Sequence, residues 1–141
     1  VIGPGSLYTS LIPNLVVPRL AAAIGASGAA RAYVCNVMTQ PGETVGFSAW
    51  DHLNVIIEHT DPRIVDAVFV NTGRIPEPVF NRYREAGALP VKLDLDTIRD
   101  KGYEVVTDDV LKVDGQVRHD AERIMKSIME HYARREKQLV S

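Results

Sequence analysis

Apolar residues recur along this chain in two periods. Short runs rich in β-branched residues, Ala32 to Val37, Ala67 to Val70, Val91 to Leu93 and Glu104 to Val106, alternate with stretches whose apolar positions fall three and four apart. That alternation predicts an α/β fold with a Rossmann-like, mostly parallel sheet flanked by helices. The first helix is expected over Ser6 to Leu15. Pro18 opens a second, Arg19 to Ile24, which Gly25 and Gly28 close. Ser48 and Asp51 make an S-x-x-D capping pattern before a helix running from about Ala49 to His59. Pro78 suits the first turn of a further helix, with Val79, Tyr83 and Ala86 on one face and Gly87 past its end.

The C-terminal part predicts a hairpin and one long helix. Leu111 and Val113 are separated from Val117 by Asp114-Gly115, a dipeptide that tolerates the positive φ angles of a tight turn. An added strand pair at the edge of the sheet is expected there. Asp120 then caps a helix in which Ala121, Ile124, Met125, Ile128, Met129 and Tyr132 share one face. On its other face Glu122 and Lys126, and Glu130 and Arg134, stand four apart as expected ion pairs. Arg134 to Ser141 loses the apolar pattern and is expected to fray.

Composition narrows the function classes. The 141 residues are 45% hydrophobic and 24% charged, which excludes disorder, collagen and low complexity and suits one domain. Sixteen Lys+Arg against eighteen Asp+Glu give a formal net charge of -2, with no basic stripe for a nucleic-acid polymer. Cys35 is the single cysteine, so no internal disulfide is available, and a reducing cytoplasmic location is expected. Pro18, Arg19 and Gly25 interrupt the longest apolar stretch, Leu15 to Ala26, so no membrane span is expected. The chain starts at Val1 and reaches a Gly-rich turn after two apolar residues. A strand that normally precedes such a turn looks cut, so residues 1–141 are expected to be the C-terminal portion of a single domain whose N-terminal half is missing.

In parallel α/β sheets ligands collect beyond the carboxyl ends of the strands. Three segments suit that place. Gly3, Pro4, Gly5 and Ser6, followed by Tyr8, Thr9 and Ser10, combine close backbone approach with hydroxyls at a helix start. The segment is neither a Walker loop nor G-x-G-x-x-G, and an ordinary glycine turn with a capping serine explains it equally well. Asn36, Met38, Thr39, Gln40, Glu43 and Thr44 surround Pro41-Gly42 with amides, hydroxyls and one carboxylate, a set suited to a sugar or a base. Glu43 has three readings, as acceptor for sugar hydroxyls, help for a metal, or base; a polar helix-capping turn is the alternative. Arg118, between the hairpin and the last helix, is placed to clamp a diphosphate or to form a surface ion pair.

Other residues carry weaker signals. Tyr83 is a stacking candidate whose spacing also fits a core position. Asn71 and Thr72 suit the same rim or a capping turn, the Asp51-His52 pair belongs more to helix capping, and Cys35 is expected to be inert core. No Ser/His/Asp order, metal-ligand pattern or carboxylate pair identifies catalytic residues.

The segments GPGSLYTSLIPNLVVP, VCNVMTQPGET and SAWDHL, together with VKLD and VRHD, closely resemble the bacterial gluconeogenesis-factor (YvcK-like) family within the CofD-like, or 2-phospho-L-lactate transferase, superfamily. The resemblance implies a cytoplasmic protein that binds a UDP-sugar such as UDP-N-acetylglucosamine and links carbon metabolism to cell shape and cell-wall precursor supply. It implies phosphate at the Gly3–Ser6 turn, a cleft lined by the 36–44 loop, and ligand contacts from Tyr83 and Arg118. A homo-oligomer and a cell-wall synthesis protein are the expected partners. Where the family carries a hydroxyl after the VRHD motif this chain has Ala121, so phosphorylation is not expected there. The alternative function is the transferase branch, which moves a phospholactyl group from a guanosine diphosphate donor to a deazaflavin. Magnesium enters only with that alternative.

Overall fold

Period-two alternation of the β-branched runs builds the centre of the molecule, seen in a computed structural model that describes residues 1–140. β1 (Ala32–Val34), β2 (Ala67–Asn71) and β3 (Glu104–Asp108) form a parallel sheet in the order β1-β2-β3. Ala32 lies opposite Ala67, and Ala67 opposite Glu104. Ile2 adds one parallel bridge to Tyr33 on the outer side of β1. Successive side chains of a strand point to opposite faces. Tyr33, Val68 and Val70 therefore enter one core, while Val34 and Phe69 enter a second on the other side.

Helices close both faces. α1 (Ile12–Leu15) follows a π-helical turn at Leu7–Leu11, and α2 (Leu20–Ala26) follows Pro18. α3 (Ala49–Glu58) gives Leu53 and Ile56 to the first core. Its start is a complete capping box: the Asp51 N–H donates to Ser48 Oγ at 3.1 Å, and the Ser48 N–H donates to Asp51 Oδ2 at 2.8 Å. α4 (Glu77–Glu85) buries none of its residues, and α5 (Leu95–Asp100) adds Ile98 to the first core. β4 (Leu111–Val113) and β5 (Val117–His119) form the hairpin around Gly115, whose φ is +81°. α6 (Ala121–Val140) covers the second core with Ile124 and Ile128. Asp120 caps it as expected, its Oδ1 accepting from the N–H groups of Glu122 and Arg123.

The structure revises several expectations. Val91 to Leu93 is not a strand. Isolated bridges from Met38 to Pro90 and from Ser48 to Lys92 tie this segment to the 36–48 loop instead of to the sheet. The hairpin is a separate two-stranded sheet rather than an edge addition. The expected first helix opens as a π-helical turn before becoming α1, and Gly25 lies inside α2. Where fraying was expected over Arg134 to Ser141, α6 continues as helix to Val140, and Ser141 lies outside the described residues. Met125 and Met129 share the predicted apolar stripe but are 47% and 64% exposed, since Ser127 turns inward beside Ile124 and Ile128. Neither helix pair expected from spacing forms: Lys126 approaches Glu130, one turn on in the same helix, rather than Glu122, and it is Arg135 rather than Arg134 that reaches a carboxylate, Glu104 of β3. Among the described residues no single helix is long and apolar enough to cross a membrane.

Candidate functional site

The carboxyl end of β1 opens into the cleft that the sheet topology calls for. It encloses about 400 Å³ between the Pro4–Ser6 turn, the Asn36–Gln40 loop, Tyr83 of α4, and Val117 to His119 of β5. That volume is within the range of small-molecule sites, roughly 300 to 1,000 Å³. The turn reaches it because Gly3 has φ +74°, and a Cβ there would stand 2.8 Å from the Val34 carbonyl oxygen. Gly5 then donates its N–H to Asn36 Oδ1 at 3.3 Å, joining the turn to the loop. Ser6 Oγ donates to Glu43 Oε2 at 2.9 Å and accepts from Thr9 Oγ1. Behind the turn a π-helical turn, Leu7–Leu11, runs directly into α1. Any anion here relies on local N–H groups and on Arg118.

Eight of the fourteen sequence candidates line the cleft, and six of these, Pro4, Gly5, Ser6, Asn36, Met38 and Gln40, form its floor and first wall. Tyr83 and Arg118 complete it from the opposite side. Thr39 and Thr44 do not line it. Both are buried: Thr39 Oγ1 accepts from the Leu89 N–H at 3.0 Å and Thr44 Oγ1 from the Gln40 N–H at 2.9 Å, so these hydroxyls hold the loop's shape. Glu43 stands behind Ser6, one hydrogen bond from the cleft. Tyr8 is 38% exposed and meets Phe47 edge-on with ring centroids 6.5 Å apart, while Thr9 is exposed outside the cleft.

The hairpin wall depends on two residues of α4. Tyr83 Oη accepts from the Val117 N–H at 3.0 Å, and Arg82 donates to the Gly115 carbonyl. Tyr83 is thus a strut of the site as well as part of its lining. Arg118 is exposed and donates from Nε and Nη2 to Gln116 Oε1 at 3.2 and 2.7 Å. Its guanidinium is oriented by a neutral amide, and no carboxylate of the described residues pairs with it. An oriented, unneutralised cation on a cleft wall suits a phosphate or carboxylate ligand.

His119 also lines the cleft and was not singled out by sequence reasoning. Strand alternation gives no signal for it, since Val117, Arg118 and His119 all border the cleft at the end of the hairpin. His119 Nε2 lies 3.1 Å from the Cys35 carbonyl, which only accepts, so this nitrogen carries the proton in that contact. Burial lowers the His119 pKa, against the opposing effect of that hydrogen bond. His52 behaves alike in the core. Burial lowers its pKa although Nδ1 contacts the Ser48 carbonyl at 2.8 Å, and Nε2 is buried without a partner. For both rings the folded state disfavours the proton. Their stabilising contribution is fully present above the unfolded-state pKa of about 6.5 and is lost as the pH falls below it toward the lower folded-state values. The denaturation midpoint at pH 5.5 is accordingly expected below that at pH 7.5, with a smaller difference in His119→Asn. Equal midpoints for the unsubstituted protein would contradict this account.

Three neighbouring candidates serve the scaffold. Cys35 is buried, and burial pushes its thiol up to about 12, so it is inert at neutral pH. Asp51 is spent in the capping box. Asn71 Oδ1 accepts from the N–H groups of Gly73 and Val110, and its Nδ2 donates to the Gly73 carbonyl. No group of three His, Cys, Asp or Glu side chains among the described residues is arranged to hold a metal ion. No carboxylate lines the cleft either, so these residues do not by themselves make a magnesium site.

Residues 1–111 match the family described as 2-phospho-L-lactate transferase CofD. This chain belongs to the CofD family. It is 42% identical over 130 residues to a putative gluconeogenesis factor of Thermoanaerobacterium thermosulfurigenes, covering 92% of this chain and 40% of that protein. It is 37% identical over 131 residues to the gluconeogenesis factor of Bacillus subtilis, covering 92% of this chain and 41% of the relative. A crystal structure of a UPF0052 family protein from Bacillus halodurans superimposes with a TM-score of 0.88 at 41% identity, over 91% of this chain and 41% of that one. The chain thus spans about two fifths of the length of the relatives it matches. The cleft walls beyond β3, Val117 to His119, lie outside the matched family region but inside the fold.

Proposed function

We propose that the cleft binds a nucleotide-sugar of the UDP-N-acetylglucosamine type, and that the protein acts as a cytoplasmic regulator linking carbon metabolism to cell shape and cell-wall precursor supply. The observation that carries this reading is Arg118, a cation without a carboxylate partner among the described residues, on the wall of a cleft whose other side offers neutral amides and hydroxyls. A diphosphate matches the guanidinium and a sugar matches Ser6, Asn36 and Gln40. The gluconeogenesis-factor relatives support the regulatory branch.

The matched family description favours a second reading, transfer of a phospholactyl group to a deazaflavin from a guanosine diphosphate donor. Calorimetry of the full-length protein separates the two, using UDP-N-acetylglucosamine, a guanosine diphosphate donor and a deazaflavin, with and without magnesium. Saturable uridine-ligand binding without product is the expected result. Consumption of the guanosine donor with the deazaflavin would overturn it.

A further inference from the structure

The orientation of Arg118 depends on contacts that begin outside the cleft. Its guanidinium donates to Gln116 Oε1, and α4 holds the backbone on either side of that glutamine. Arg82 donates to the carbonyl of Gly115, just before Gln116, and Tyr83 Oη accepts from the N–H of Val117, just after it. The two bonds bracket the side chain that aims Arg118.

Little packing supports this arrangement. α4 has no buried residue, and Asp114, Gly115 and Gln116 are all exposed. The Asp114 N–H reaches the Gln116 carbonyl at 3.3 Å, a long bond for a turn. Between α4 and the hairpin tip lies a space of about 360 Å³ lined by Arg82, Tyr83, Ala86, Gly115 and Gln116. Hydrogen bonds across this gap, rather than a buried core, keep the tip in place. Segments with few buried apolar contacts open at small free-energy cost, so one exposed hydrogen bond has leverage over how often Gln116 stands ready. Apparent ligand affinity falls with the fraction of protein in the competent arrangement.

We propose that Arg82 is a positioning residue for the cleft. It does not line that space, and it acts through Gly115 and Gln116 to keep the Arg118 guanidinium preorganised for an anionic ligand group. The inference rests on the nucleotide reading of the cleft and adds to it the residue that aims its cation.

A double-mutant cycle in the full-length protein tests it, with UDP-N-acetylglucosamine as the probe in calorimetry. Arg82→Ala is expected to weaken binding roughly three- to tenfold, the worth of one hydrogen bond. Arg82→Lys is expected to bind like wild type, since an ammonium also donates to the Gly115 carbonyl. The combined Arg82→Ala, Arg118→Ala variant is expected to bind no more weakly than Arg118→Ala alone, because the route through Gln116 has already lost its end point. Additive losses would show that Arg82 acts by its own charge and would overturn the proposal, as would unchanged affinity in Arg82→Ala. Amide exchange in the unliganded protein is the second readout. Arg82→Ala is expected to speed exchange over residues 115–118 and to leave β1, β2 and β3 unchanged, and identical exchange in variant and wild type would count against the proposal. Failure of wild type to bind the probe would sink the nucleotide reading, while the exchange result would still decide whether Arg82 holds the hairpin.

Discussion

Arg118→Ala in the full-length protein is expected to weaken binding of UDP-N-acetylglucosamine by roughly 10- to 100-fold, the loss of one or two charge-assisted hydrogen bonds of about 1.5 to 3 kcal/mol. The magnitude follows from the position of the guanidinium, which has a neutral partner in Gln116 and, among the described residues, no carboxylate to neutralise it. Stability should be unaffected, because the side chain is exposed and anchors nothing outside its own hairpin. Arg118→Lys should recover only part of the affinity, since an ammonium cannot reproduce the two-pronged geometry. Calorimetry and a thermal melt read the two effects separately. Unchanged affinity in Arg118→Ala removes this residue from the site.

Gly3→Ala is expected to damage both fold and site. A residue with a Cβ is strained at φ +74°, and here the Cβ would also stand 2.8 Å from a backbone oxygen of β1 that cannot move aside cheaply. Strain of this kind costs of order 1 to 3 kcal/mol, to be read as a lower denaturation midpoint. The displaced turn carries Gly5 and Ser6 away from Asn36 and Glu43, so ligand affinity falls as well. Gly42→Ala is the comparison. Its φ is +79°, but nothing lies within 4 Å of the added Cβ, and a smaller loss is expected. Equal losses in the two variants would show that the contact with β1 is immaterial.

Much of the fold was legible where local chemistry and tertiary packing agree. Ser48 and Asp51 form their capping box within four residues, Asp114-Gly115 turns the hairpin, and Asp120 caps α6, all from neighbours close in sequence. Val91 to Leu93 misled because β-branched residues mark burial as well as strands. Val91 is buried, but its partner is the Val37 carbonyl of a loop. α5 carried too short a period to be marked, and Ile98 was placed by the core it fills.

The candidate site was legible as segments but not as a surface. Hydroxyl-rich and amide-rich loops after a strand were enough to mark Ser6, Asn36 and Gln40. Composition could not tell Thr39 and Thr44, whose hydroxyls satisfy backbone donors, from residues facing the cleft. Nor could it find His119, whose partner, the Cys35 carbonyl, is 84 positions away. By itself the sequence determined the strand and helix periods, the caps, the tight turn and the inventory of chemistry near the strand ends, since each depends on residues a few positions apart. Only the tertiary structure decided which hydroxyls are spent on the backbone, that the hairpin stands apart from the sheet, and that Arg118 faces the same space as the Gly5 turn. Those outcomes depend on contacts between distant segments, and such contacts leave no period in the chain.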